Sequence, residues 1–222
     1  MTAECARSRF PIGLAPIRCV LIPFLSGALL ATTAGRVEAH PHVWISVIEE
    51  LLYAPDGSVA AVRQIWTFDE MFSAFAMQGI AQKTPGLFTR EELQPVAKTY
   101  LDGLKDFGYF TYAKLNGEKQ KDAFADPIDY FADYDSKQAA FNLTFTLPFR
   151  TPVPAKSLEV QIFDPQLFFY LSFARFEPVR LTGAPQQCRA LVKTAADDGA
   201  PAIGNIAGMV TTSTSTIWVK CP

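Results

Sequence analysis

The chain has 222 residues, 49% of them hydrophobic, with 20 basic and 22 acidic side chains and a formal net charge of −2. So mild an acidic balance leaves no electrostatic footprint for nucleic acid, while the apolar content suffices for one substantial core. The whole chain holds only two histidines, so imidazole chemistry is restricted to His40 and His42, and no glycine-rich phosphate loop of the usual spacing is present.

At the N-terminus Arg7, Arg9 and Arg18 form a basic leader opposed only by Glu4, and Cys19 to Thr33 follow as 15 uncharged residues. That run is shorter than the ~20 residues a membrane-spanning helix needs. Val37-Glu38-Ala39 then presents the small residues that signal peptidase requires at −3 and −1. This order predicts a signal peptide over residues 1–39, cleavage between Ala39 and His40, and export to the periplasm. With no twin arginine, the general export route is expected. Residues 40–222 would form a single periplasmic domain of 183 residues, carrying 16 basic and 20 acidic side chains. No later apolar stretch is long enough to span a membrane, so no stable insertion of the mature chain is expected.

Val43 to Tyr53 is apolar and β-branched, and Ser58 to Phe68 returns with alternation. Ala54-Pro55-Asp56-Gly57 supplies turn residues between them, so the two runs predict a hairpin. The period then changes. Met71, Phe72, Phe75, Ala76 and Ile80 are spaced for a helix, with Asp69 placed to cap it. Thr84-Pro85-Gly86 breaks the chain. Thr89-Arg90-Glu91-Glu92 is a capping box, and Leu93, Val96, Ala97, Tyr100, Leu101 and Leu104 continue a second helix that Phe107-Gly108 ends.

Beyond Gly108 the chain reads as β. Tyr109 to Leu115 and Lys119 to Phe124 flank Asn116-Gly117, a hairpin signal. Ile128 to Tyr134, Ala139 to Leu147, Ser157 to Phe163, Phe168 to Phe176, Val179 to Leu181, Ala190 to Thr194 and Thr214 to Lys220 are short strands between turn residues. Ala195 to Asn205 reads as a loop. The fold class expected is α+β: mainly antiparallel β, in two packed sheets, with a helical pair inserted after the first hairpin.

His40-Pro41-His42 places two imidazoles at i and i+2, on one face of an extended segment. Cleavage before His40 would add a free α-amine. Neutral imidazoles are common transition-metal ligands, so amine and rings could converge on one ion. Pro41 has no N–H to lose, which disfavours square-planar chelation through the second backbone nitrogen. Carboxylate partners must come from elsewhere. Asp69 is one candidate, or simply a helix cap. Asp164, before Pro165, is another, or simply a turn residue. Cleavage leaves Cys188 and Cys221, which in an oxidising compartment predict a disulfide. A thiolate metal pair is the other reading.

The segments HPHVWISV (40–47), VRQIWTFDEMFSAF (62–75), FTREEL (88–93), LKDFGYFTYAKLNG (104–117), FTLPF (145–149), LEVQIFDPQLFFYLSFA (158–174) and VRLTGAPQQC (179–188) carry a resemblance. In that order they are similar to the bacterial periplasmic family known as domain of unknown function 1007. The family is also described as the periplasmic component of an uncharacterised ABC-type transport system. The resemblance implies an accessory protein beside divalent-metal transporters. Two departures stand out. Ala81, Lys83 and Pro85 occupy places where family members carry oxygen ligands of an EF-hand-like stretch, so calcium is not expected there. Phe163 replaces the family's tyrosine before Asp164-Pro165.

The reading that joins these strands of evidence is a periplasmic binding or accessory protein for Zn²⁺, Ni²⁺ or Co²⁺, not an enzyme, working with a membrane metal transporter. His40 and His42 would be the ligands, with Asp69 and Asp164 assisting. A copper-dependent redox enzyme built on the N-terminal histidines, or a metal-free envelope interaction module, are the alternatives.

Overall fold

Strand β1 (Val43–Tyr53) alternates as its sequence demands: Val43, Ile45, Val47, Glu49 and Leu51 turn inward and are buried. It runs antiparallel to β2 (Ser58–Phe68) with Ile45 opposite Phe68 and Glu49 opposite Gln64. The turn between them is closed by the Gly57 N–H on the Ala54 carbonyl at 2.9 Å, with Gly57 at φ 83°. Only glycine takes that angle without steric cost. Ala61, paired with Leu52, is buried on the other face of β2, whose inward set is Val59, then Val62, Gln64, Trp66 and Phe68. Simple alternation would separate these into opposite faces. A register irregularity between Val59 and Ala61 reverses the phase and reconciles them.

The computed structural model describes residues 42–154, 156, 158–193 and 214–220. The chain divides between Ala39 and His40, and the described residues all belong to the second unit, His40–Pro222. The expected leader, His40, the whole loop expected from Ala195 to Asn205, and Cys221 lie outside the described residues.

After β2 come helix α1 (Glu70–Ala76) and helix α2 (Arg90–Leu104). The first stops short of the expected Ile80, with Gly79 at φ 75° beyond its end. It turns Ser73 and Ala76 inward and leaves Met71 and Phe75 exposed. The second starts at the expected capping box, in which Thr89 and Glu92 each satisfy the other's backbone N–H. Its buried face is Leu93, Ala97, Leu101 and Leu104, a helical stripe. A 3₁₀ segment (Lys105–Phe110) follows, in which Gly108, Tyr109 and Phe110 all have positive φ. The strand expected from Tyr109 therefore begins two residues later.

The remaining strands are β3 (Thr111–Leu115), β4 (Glu118–Lys119), β5 (Ile128–Asp135), β6 (Ala140–Pro154), β7 (Leu158–Ile162), β8 (Phe169–Phe173), β9 (Val179–Thr182), β10 (Arg189–Lys193) and β11 (Ser215–Lys220). Among the described residues they form two sheets. One has the order β5-β6-β2-β1-β8, with β9 also paired to β1; the other has the order β10-β11-β7-β3-β4. The second sheet is antiparallel throughout. The first departs from the expectation of antiparallel pairing on one edge of β1, where β8 and then β9 run parallel to it. Buried side chains of both sheets and of both helices share one hydrophobic cluster, and Trp66 packs edge-on against Phe145 of β6 at 5.2 Å within it.

Cys188 is buried and disulfide-bonded. Strands β10 and β11 pair Arg189 with Lys220, so the next position outward on each strand is a cysteine in the sequence. Adjacent strands bring paired Cα atoms to about 4.5–5.5 Å, within reach of a disulfide. We predict a Cys188–Cys221 bond, closing a loop of roughly 33 residues that contributes about 3–4 kcal/mol on the chain-entropy model. Non-reducing peptide mapping of protein purified with its thiols blocked should recover the linked peptides. Two free thiols would refute it.

Candidate functional site

The start of β1 is held from two sides. Its first hydrogen bonds run from the His42 N–H to the Phe168 carbonyl at 2.9 Å and from the Val43 N–H to the same oxygen at 3.3 Å. The exposed His42 ring lies against the Phe168 ring, centroids 4.9 Å apart. On the other side is Asp69. Its Oδ1 accepts the Phe72 N–H at 2.9 Å, capping α1, and its Oδ2 accepts the Trp44 N–H at 2.8 Å. The Asp69 N–H in turn donates to the Trp44 carbonyl at 3.0 Å. One carboxylate thus joins the end of β2, the start of α1 and the start of β1.

Asp164 follows β7 and is 3% exposed. Its Oδ1 accepts the Gln166 N–H at 2.8 Å and its Oδ2 the Phe169 N–H at 3.0 Å. Phe169 is the partner of Val43 across the β1–β8 ladder. Three of the residues singled out in the sequence, His42, Asp69 and Asp164, are therefore gathered around one strand end, while His40 and Cys221 lie outside the described residues. Both carboxylates have taken the capping and turn roles available to them, with every oxygen accepting a backbone N–H. Among the described residues no three His, Cys, Asp or Glu side chains are grouped to hold a metal ion.

Beside this corner is an open-mouthed cavity of about 300 Å³. Trp66, Phe68, Phe72 and Tyr100 line one wall. There Phe68 stacks on Phe72 at 4.5 Å, and Phe72 meets Tyr100 at 5.4 Å. Phe107, Phe110, Phe168 and Phe169 line the other. Their rings also run in contact, Phe107 to Phe110 at 5.6 Å, Phe110 to Phe169 at 5.4 Å and Phe169 to Phe168 at 5.0 Å. Asp164 is the only Asp, Glu, Lys, Arg or His among the lining residues. The helical spacing of Thr99, Tyr100, Gly103, Leu104 and Phe107 is the signal that could have revealed this face, because it continues the stripe of α2 past the residues its core contacts need.

A polar cluster is sealed in the core. Glu49 and Gln64 are paired across β1 and β2 and both are fully buried. The Gln64 amide Nε2 donates to Glu49 Oε1 at 2.7 Å and to Thr111 Oγ1 at 3.3 Å, and its Oε1 accepts from Trp66 Nε1 at 3.1 Å. Among the described residues Glu49 Oε2 has no hydrogen-bond partner. Burial pushes the Glu49 carboxyl up to about 7, although the Gln64 amide pulls the other way. The neighbouring Glu50, on the opposite face, is also raised by burial, but bonds from Thr182 and Arg63 outweigh this and hold it below its usual range. Sequence reasoning passed over Glu49, yet its phase with Val43, Ile45, Val47 and Leu51 on one strand face points it inward.

This cluster sets a pH dependence. The folded chain keeps a proton on Glu49 that the unfolded chain releases between pH 4.5 and about 7. Stability is therefore fullest below the lower value and falls as pH rises toward the upper one, by on the order of 3 kcal/mol in all. Glu49→Gln should flatten that part of the profile. Urea unfolding of both proteins across the range measures it, and superimposable slopes would refute it.

The chain matches a family model over residues 25–211, most of its length. No curated protein matches it. On that span the chain belongs to the family described as "Protein of unknown function (DUF1007)".

Proposed function

We propose that the exported chain is a periplasmic binding or accessory protein for a divalent transition metal, Zn²⁺, Ni²⁺ or Co²⁺, that exchanges its ion with a membrane metal transporter. The observation that carries this reading is the anchoring of the strand start at His42. The only two imidazoles of the chain precede a strand end held by the Phe168 carbonyl and the Asp69 carboxylate. A chelate on a frayed end would lose affinity to the entropy of ordering it. Here the backbone behind His42 is already ordered. His40, His42 and the α-amine created by cleavage would supply the nitrogens. So few nitrogen ligands suit modest affinity and exchange, as delivery requires. Asp69 and Asp164 would add negative potential near the ion rather than tight ligation, because their oxygens already serve backbone amides.

Intact-mass measurement of exported protein should give a chain beginning at His40. Calorimetry on that untagged protein should then show binding of Zn²⁺, Ni²⁺ or Co²⁺. Changing both His40 and His42 to Ala should abolish it. Because protons compete with a metal ion for imidazole nitrogens, affinity should fall as the buffer is acidified. Asp69→Ala should weaken binding less, while costing about 1 kcal/mol of stability through the lost helix cap. Unchanged affinity in the double histidine variant would overturn the reading.

A further inference from the structure

The aromatic cavity can be assigned a ligand class from its chemistry alone. Ligand cavities are mostly apolar with a few placed polar groups, and about 300 Å³ is at the small end of their range. Its walls are rings, and its one charged group is the Asp164 carboxylate. That carboxylate is 3% exposed, and no Lys or Arg side chain pairs with it among the described residues. The Thr99 hydroxyl is already donating to the Pro95 carbonyl at 2.9 Å. An anion would find a like charge and no cationic partner. A bare metal ion would find one carboxylate and no ring able to replace its water. A compact organic cation would find both things it needs, aromatic π-faces and a counter-charge.

Two further features of the rim agree. Phe107 and Phe168 are 43% and 42% exposed, an apolar surface that water does not favour. Gly103 lines the cavity from the last turn of α2. A Cβ built there meets no atom within 4 Å, so packing of the protein against itself does not explain the glycine. It leaves the mouth open.

We propose that this cavity binds a small organic cation of the quaternary-ammonium or methylated-amine class, with the charge beside Asp164 and the alkyl groups against the rings. The cavity adjoins the proposed chelate, sharing Asp164 with it and touching His42 through Phe168, but its binding of a cation does not depend on the metal reading. The test is calorimetric titration of the exported protein with choline and with its uncharged isostere 3,3-dimethylbutan-1-ol, in the presence of EDTA. Choline should bind at millimolar concentration or below, and the isostere at least about tenfold more weakly. Asp164→Asn should weaken choline by a similar factor while leaving the isostere unchanged. Gly103→Leu should block both without loss of thermal stability. If Asp164→Asn fails to fold, Phe107→Ala and Phe168→Ala, at the exposed rim, should each weaken choline severalfold. Equal affinity for the two probes would show an apolar cavity with no charge preference. No choline binding at millimolar concentration, or unchanged binding in Gly103→Leu, would also overturn the proposal.

Discussion

Strand β1 is hydrogen-bonded along both edges, and everything described above hangs from that. Its antiparallel partner β2 is the strand that continues from it through a tight turn. Its other edge is filled by two separate short strands, β8 along Val43–Val47 and β9 along Glu49–Leu52. Parallel strands cannot be joined by a short turn, so β8 and β9 arrive from distant parts of the chain. They bring their preceding loops with them. The loop before β8 carries Asp164 and Phe168, and so the wall of the cavity and the anchor of His42 come from one topological event.

That arrangement explains how two carboxylates meet one strand end without forming a metal cage. Each solves a local problem in its own segment. Asp69 satisfies an N–H of the first turn of α1, one of the donors that a helix leaves orphaned. Asp164 satisfies two N–H groups in a turn that includes Leu167 at φ 58°. Non-glycine residues take such angles at a cost of roughly 1–2 kcal/mol, which neighbouring bonds and packing must offset. Tyr109 and Phe110, left-handed beside Gly108, store similar strain, and the burial of their rings offsets it. Both strained turns place aromatic rings on the cavity walls.

The core is polar in one spot and the reason is structural. Glu49, Gln64, Trp66 and Thr111 form one bonded chain between the two sheets. A buried amide that serves three partners at once tolerates no shift in strand register. The unpartnered Glu49 oxygen is tolerable because burial favours the protonated, uncharged carboxyl at mildly acidic pH.

By itself the sequence determined the elements that depend on short-range chemistry. Pro55-Asp56-Gly57 dictated the first hairpin. Asp69 and the pair Thr89 and Glu92 dictated where helices start, because a cap acts within three residues. Alternation dictated most of the strands and the inward set of β1. Only the tertiary structure decided what pairs with the free edge of β1, since nothing in β8 or β9 encodes a partner more than a hundred residues away. It also decided that the short pair Glu118–Lys119 replaces the longer strand expected there, and that Tyr109 and Phe110 turn left-handed instead of extending. The aromatic residues were legible as core material, and most of them are. That eight rings from distant segments leave a space beside Asp164 was not legible. A cavity is a property of surfaces brought together from distant segments, and no local pattern of side chains records the gap between them.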